Sequence, residues 1–135
     1  NLAVRETVEP IFSFTKDNLI NEKQNNLPSL EDLGLNNFEV DSRTAFPFNG
    51  GCLSAKDRVN YYLWESRKVN FYKKTRNGLI GKDYSSKFSA WLANGCISPR
   101  EIYWEIRKYE NAIMKNQSTY CMIFELIWRD FFKFI

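Results

Sequence analysis

Residues 72–92 combine the side chains that bind phosphate with those that stack on flat rings. Two glycines and several aromatic residues separate its cations and serines, which are Lys73, Lys74, Arg76, Lys82, Lys87, Ser85, Ser86 and Ser89. Hydroxyls, backbone amides and cations gathered at a turn bind phosphate, and aromatic rings stack on flat heteroaromatic ligands. The segment therefore predicts a phosphate-binding surface, although serine at a helix start is by itself more often a plain cap.

A second group of candidate residues lies in residues 124–132, near the C-terminal end of the sequence. The spacing of its members predicts that they share one face of an α-helix: Glu125, Trp128, Arg129 and Phe132. A carboxylate beside an aromatic ring suits an extruded base, which it can bind at its edge while the ring stacks on it. The plainer interpretation is an amphipathic helix with a glutamate–arginine pair four residues apart.

The formal net charge of +3 conceals an uneven distribution of charge along the chain. Residues 1–41 carry eight acidic and three basic residues, a net charge of −5. Residues 42–135 carry eight acidic and sixteen basic residues, a net charge of +8. The basic part also holds the motifs and would attract phosphate-rich partners, with an ordinary basic surface as the alternative.

The numbers of cysteine and histidine residues argue against several kinds of site. Three cysteines without close spacing argue against a disulfide framework and a zinc site, and the absence of histidine argues against most transition-metal sites. We therefore expect no metal and a reducing, intracellular compartment, with no single compartment indicated. No apolar run reaches membrane-spanning length, so no membrane partner is expected.

The apolar spacing predicts an all-α protein. A first helix follows Gly51, with Ser54 as its cap and a buried face of Ala55, Val59, Tyr62 and Leu63. A short helix at 86–93 buries Phe88, Trp91 and Leu92 and stops at Gly95. Ser98, Pro99 and Glu101 predict a capping box that opens the next helix, and the longest helix is expected at 118–135.

Residues 1–45 are predicted to be a linker with short helices. A weak helix is expected at 10–22, an exposed asparagine-rich linker at 21–26, and one capped helical turn at 28–34. At the other end, the last helix carries no stop signal and is strongly apolar. We therefore expect the chain to be part of a longer protein.

Six ordered segments together resemble the photolyase/cryptochrome family, with cryptochrome DASH as the most similar branch. The resemblance is good over residues 27–135 and loose before them. Its segments are Phe46-Pro47-Phe48 with Gly50-Gly51, residues 72–74, residues 75–81, residues 83–89, Ser98-Pro99-Arg100 and residues 124–130. Three residues depart from the usual family pattern: Cys52 stands for an acid, Ala90 for a proline and Cys121 for a tryptophan.

The resemblance implies an FAD-binding protein. Residues 1–45 would lead from a missing antenna domain, and residues 46–135 would be the first part of the helical FAD-binding domain, incomplete at its C-terminal end. A folate antenna would fit in the missing domain. By the resemblance, the flavin is held by Tyr72, Ser85, Ser86, Lys87, Phe88, Ser89 and Arg129. The catalytic, lesion-contacting residues would be Glu125 and Trp128, and Arg76 would contact DNA beside them.

The implied function is blue-light repair of cyclobutane pyrimidine dimers, preferably in single-stranded DNA. Three alternatives remain open: a photoreceptor without repair activity, a non-enzymatic nucleic-acid-binding helical module, and a truncated product without activity. We expect residues 1–135 alone to be inactive and to hold FAD weakly, since a cofactor of this size is normally enclosed on most of its surface. The full-length protein is not expected to form oligomers.

Overall fold

The computed structural model describes residues 3–5 and 27–135, and every regular element in that part of the chain is helical, without a strand. The all-α prediction is therefore confirmed. The described residues 27–41 belong to one compact unit, and residues 3–5 and 42–135 belong to another. The helix predicted at 10–22 and the linker predicted at 21–26 lie outside the described residues. The domain division at residues 45 and 46 stays a prediction.

In the first unit, residues 30–34 form the predicted single helical turn. The Asp32 carboxylate accepts hydrogen bonds from the backbone N–H and the hydroxyl of Ser29, each at 2.8 Å, and these bonds lower the pKa of Asp32. Gly34 ends the turn with a φ of +72°, a left-handed conformation that glycine adopts without steric cost.

The described part of the second unit contains five α-helices, one π-helical turn and one 3-10 turn. The α-helices are α1 (Cys52–Asn60), α2 (Tyr72–Thr75), α3 (Ser89–Ala93), α4 (Pro99–Ala112) and α5 (Gln117–Phe131). A π-helical turn at Tyr61–Glu65 continues α1, and a 3-10 turn at Lys68–Phe71 leads into α2. The core lies among these elements, and its completely buried members are Tyr62, Leu63, Val69, Ile102, Ile106, Tyr109 and Thr119.

Two helix starts differ from the sequence prediction. α1 begins directly after Gly51, whose φ is +92°, so the predicted cap Ser54 lies inside the first turn and caps nothing. α3 begins at Ser89 rather than at 86, because Lys87 adopts a φ of +64°, which no right-handed helix contains. The predicted buried faces of both helices are correct. At the end of α3, Gly95 has a φ of +69°, and the Cys96 N–H donates to the Trp91 carbonyl at 2.9 Å.

The starts of the two long helices are well capped. The predicted capping box of α4 is present: Ser98 accepts from the Arg100 N–H, and Glu101 accepts from the Ser98 N–H at 2.9 Å. α5 is capped by Asn116, which the sequence analysis did not identify: its side-chain Oδ1 accepts hydrogen bonds from the Ser118 and Thr119 N–H groups. α5 is the longest described helix, with 15 residues, but it ends at Phe131 rather than at 135.

Candidate functional site

A cavity of about 380 Å³ lies between α2, α3, α5 and the chain just before α3. Its apolar walls come mainly from Phe88, Leu92, Met122 and Leu126. Its polar lining consists of residues that the sequence singled out, although they lie far apart along the chain: Tyr72, Ser86, Ser89, Glu125 and Arg129. Six predicted site residues, including Phe88, therefore meet in one place, which we call the Tyr72 cavity.

Tyr72 is the most buried polar residue of this cavity, with 9% of its surface exposed. Burial raises the pKa of its phenol, and the nearby Arg76 cation opposes that shift. Tyr72 is thus a neutral phenol at physiological pH, able to donate or accept one hydrogen bond. The Arg76 guanidinium also pairs with the Glu125 carboxylate, and both side chains are about one-third exposed. The pair links α2 to α5 at the polar edge of the cavity.

Arg129 is fixed at the far wall of the Tyr72 cavity. Its guanidinium donates to the Leu92 carbonyl at 3.3 Å, near the end of α3, and pairs with Asp130 at 3.3 Å. The side chain is 28% exposed, so the cation is only partly desolvated. The glutamate–arginine pair of the plainer interpretation is not formed, since Glu125 pairs with Arg76 and not with Arg129. Arg129 is therefore a fixed cation in the wall of the cavity that Ser86 and Ser89 also line.

Four predicted site residues do not line the cavity. Ser85 and Lys87 are not among its lining residues, and Arg76 contacts its edge only through Glu125. Trp128 lies in an exposed row of aromatic rings on α5. The Trp128 ring centroid is 5.7 Å from that of Phe124 and 5.5 Å from that of Phe132. Within the helix face that the spacing of these four residues predicts, Glu125 and Arg129 line the cavity, whereas Trp128 and Phe132 belong to the aromatic row.

Arg58 supports the site, although the sequence analysis did not identify it as a site residue. Its side chain is only 2% exposed and binds the segment before α3 through four hydrogen bonds. The guanidinium donates to the Asp83 carboxylate at 2.9 Å and to the carbonyls of Lys82, Ser85 and Ser86 at 2.8, 3.2 and 3.1 Å. Since Ser86 lines the Tyr72 cavity, Arg58 fixes the backbone that carries one wall of it.

Aromatic rings complete the surroundings of Arg58. Its guanidinium carbon lies 4.7 Å from the ring centroid of Phe48, 5.4 Å from Tyr61 and 5.1 Å from Tyr62. A buried cation requires such compensation because desolvation alone is costly. The sequence did contain a signal: position 58 lies three residues after Ala55 and four before Tyr62, on the predicted buried face. A cation in an apolar stripe indicates a buried partner.

The donor set of the Tyr72 cavity suits an anionic ligand with a flat or apolar part. Two serine hydroxyls, a phenol and a guanidinium supply hydrogen bonds to phosphate or sugar oxygens, while Phe88, Leu92 and Met122 contact an apolar portion. These residues fit the phosphate and ribityl side of FAD. Among residues 3–5 and 27–135, no group of three or more histidine, cysteine or acidic residues could hold a metal, and no helix is long and apolar enough to cross a membrane.

Comparison with known proteins identifies close relatives, although no protein-family model matches the chain. Cryptochrome DASH of Xenopus laevis is 53% identical over 113 residues, which are 84% of this chain and 22% of that protein. Cryptochrome DASH of Gloeobacter violaceus is 50% identical over 109 residues, 81% of this chain and 22% of that protein. The chain thus spans about a fifth of the length of the curated relatives it matches.

The solved structures give the same result. A crystal structure of a cryptochrome from Synechocystis sp. matches with a TM-score of 0.76 and 44% identity, over 84% of this chain and 23% of that one. The match extends the sequence similarity to the helical arrangement itself, so the fold is that of the family's helical domain. By its sequence and by its fold, this chain belongs to the photolyase/cryptochrome family.

Proposed function

We propose that this chain forms the phosphate-side wall of the FAD site in a protein of the cryptochrome DASH type. One observation carries the proposal: Tyr72, Ser86, Ser89 and Arg129 line a single cavity although they come from three separate parts of the chain. Cryptochromes and photolyases generally bind FAD, and the donors of the cavity suit a dinucleotide pyrophosphate. Residues 46–135 would supply this wall, with residues 1–45 as the linker that precedes it.

Each residue has a definite task in this proposal. Arg129 and the Ser86 and Ser89 hydroxyls bind phosphate oxygens, Tyr72 hydrogen-bonds the sugar or phosphate portion, and Phe88 excludes water. Ser85 and Lys87 would act indirectly, Ser85 through the carbonyl that Arg58 holds and Lys87 through the turn before α3. The bound flavin supplies light absorption and electron transfer, whereas the protein binds and orients it.

The proposed activity is blue-light repair of cyclobutane pyrimidine dimers, preferentially in single-stranded DNA. Glu125 would hydrogen-bond the lesion, Trp128 would stack on it and Arg76 would contact the adjoining backbone. Support comes from the position of Glu125 at the edge of the Tyr72 cavity and from the half-exposed ring of Trp128. An extruded dinucleotide requires such a polar group and aromatic surface.

A second candidate function is light reception without repair. The observation that favours it is the position of Trp128, which packs beside Phe124 and Phe132 in the aromatic row instead of lining the Tyr72 cavity. In that case the same flavin site would serve a signalling protein.

A chimera tests the flavin site. In the chimera, the matching part of this chain would replace the 113 matched residues of the Xenopus relative. The flavin absorbance of the purified chimera would then be compared with that of the relative. We expect the chimera to retain flavin, and Arg129→Ala to lower flavin affinity by about tenfold or more, through loss of a charge-assisted hydrogen bond. Arg100→Ala, an exposed change on α4, is the matched control. Equal flavin content in both variants would contradict the proposed site.

A repair assay then separates the two functions. Blue light should convert a thymine-dimer oligonucleotide in the presence of the chimera, with a dark sample as the control. Trp128→Ala should weaken lesion binding by about tenfold, since base stacking on an aromatic side chain contributes about 1–3 kcal/mol. Flavin content should stay unchanged, because Trp128 does not line the cavity. Flavin binding without any repair would favour the photoreceptor.

A further inference from the structure

The two charged residues that line the Tyr72 cavity have opposite signs. They are Arg129 and Glu125, and the other lining side chains are uncharged. A cavity proposed for an anionic pyrophosphate therefore contains one cation and one carboxylate, and the charge of the carboxylate repels phosphate. The hydrogen bond proposed between Glu125 and the lesion requires this acidic residue. The cofactor and the lesion thus place opposite demands on position 125.

The ion pair between Glu125 and Arg76 resolves this conflict. The Arg76 guanidinium binds the Glu125 carboxylate from the end of α2, although Arg76 itself does not line the cavity. We propose that Arg76 is a positioning residue for the flavin, because it neutralises and holds the Glu125 carboxylate so that the cavity accepts an anionic cofactor. This inference rests on the flavin site proposed above and adds to it a residue that acts through another side chain.

The pair also keeps Arg129 available for phosphate. Glu125 and Arg129 stand four residues apart on α5, a spacing at which glutamate and arginine readily pair. Within the part of the chain that the structure describes, the ion pair that Glu125 forms is with Arg76 alone. Arg129 instead donates to the Leu92 carbonyl at 3.3 Å and pairs with Asp130 at 3.3 Å. Without Arg76, the Glu125 carboxylate would be free to engage Arg129 and withdraw it from the ligand.

The backbone of α2 places Arg76 next to the cavity. The Arg76 N–H donates to the Tyr72 carbonyl at 2.9 Å, so the two residues stand one helical turn apart. Burial raises the pKa of the Tyr72 phenol, and the nearby Arg76 cation opposes that rise. The side chains of Arg76 and Glu125 are 36% and 37% exposed, so solvent screens the pair in part and its effect on a ligand should be moderate.

The test measures flavin affinity in the chimera described above, by fluorescence titration of FAD into the flavin-free protein. Arg76→Gln should lower the affinity by about fivefold, a moderate loss because the pair is partly screened. Arg76→Lys keeps the charge and should retain most of the affinity. The matched control is Lys115→Gln, which removes the same charge from an exposed position outside the cavity and should bind flavin as the parent chimera does.

Substitution of Glu125 separates neutralisation from a merely structural role of the pair. Glu125→Gln should raise flavin affinity, because Arg76 and Arg129 would then both be unopposed cations. Arg76→Gln with Glu125→Gln should restore the parental affinity, since the net charge around the cavity would equal that of the parent. Circular dichroism of each variant reports whether it is folded.

Three results would overturn the inference. Equal losses of affinity in Arg76→Gln and Glu125→Gln would show that the pair only holds α2 against α5. A double variant that binds no more tightly than Arg76→Gln would show that Arg76 does not act through Glu125. Equal affinities of Arg76→Gln and Lys115→Gln would show that the pair has no specific effect.

Arg129→Ala distinguishes failure of this inference from failure of the flavin site. If Arg129→Ala loses flavin and Arg76→Gln does not, the flavin site stands and Arg76 has no part in it. A parent chimera that binds no flavin would overturn both proposals.

Discussion

At the scale of single residues, Arg58 has the largest structural task, although the sequence-based site did not include it. Its guanidinium donates hydrogen bonds to three carbonyls and one carboxylate of residues 82–86, the segment before α3. Removing one partner of a buried ion pair leaves the other groups desolvated and unpaired, and that loss exceeds the net contribution of the pair itself. Arg58 therefore positions the backbone of Ser86, which lines the Tyr72 cavity.

The first prediction is that Arg58→Met lowers the free energy of unfolding by about 3 kcal/mol, the low end for a broken buried pair because Asp83 keeps some solvent contact. Urea unfolding followed by circular dichroism measures the change. Arg100→Met, at an exposed position on α4, should have little effect. Equal midpoints for the two variants would show that the four hydrogen bonds contribute no net stability.

The second prediction concerns alkaline pH. Burial raises the pKa of both Tyr62 and Tyr72 above the ordinary value of 10.0. The folded protein thus holds these two protons more tightly than the unfolded chain does, so their contribution to stability is complete below pH 10 and is lost as the pH rises towards the folded-state values. Urea unfolding between neutral and strongly alkaline pH should show this decline. Tyr62→Phe with Tyr72→Phe should make the decline shallower, and an unchanged slope would contradict it.

At the scale of elements, the start of α3 depends on one residue, Lys87, in a left-handed conformation. A side chain there costs about 1–2 kcal/mol relative to glycine, offset in part by the greater freedom of glycine in the unfolded chain. We predict that Lys87→Gly keeps or raises the melting temperature, whereas Lys87→Val lowers it, because a β-branched residue tolerates this conformation least. Differential scanning calorimetry makes the comparison. A more stable valine variant would mean that α3 can start earlier, as the sequence alone predicted.

The helices show which features a sequence reveals. The start of α4 was predictable because its signal is local: Ser98, Pro99 and Glu101 lie within four residues and bond to one another. The start of α1 was not, since Gly51 caps it through backbone conformation alone and Ser54 offered a misleading side chain. The buried faces of α1 and α3 followed from apolar spacing, which does not depend on the location of the caps.

The candidate site divides in the same way. The residue types predicted which residues belong to the site. Which of them line the cavity depends on packing between elements that are distant in sequence. Glu125 pairs with Arg76, 49 residues away in sequence, and not with Arg129, one turn further along its own helix. Arg58 reaches a segment 24 to 28 residues away. Local spacing contains no information on such contacts, so it did not show that Glu125 lines the cavity while Trp128 packs in the aromatic row.

At the scale of the whole molecule, the exposed apolar surface of α5 and the residues after it determines how the isolated chain behaves. Tyr120, Phe124 and Trp128 stand one helical turn apart, and each is at least 40% exposed. Phe134 and Ile135 are 89% and 84% exposed. A contiguous apolar surface of this kind favours association in water.

The final prediction follows from that surface. The 135-residue chain should associate as its concentration rises, and sedimentation velocity should show a shift from monomer to larger species. Phe124→Glu with Phe134→Glu should keep it monomeric, because charges would then interrupt the apolar surface without touching the core. Leu53→Glu with Leu79→Glu is the matched control, since these leucines are 80% and 88% exposed but lie outside α5. If both double variants reduce association equally, net charge rather than the aromatic row governs self-association.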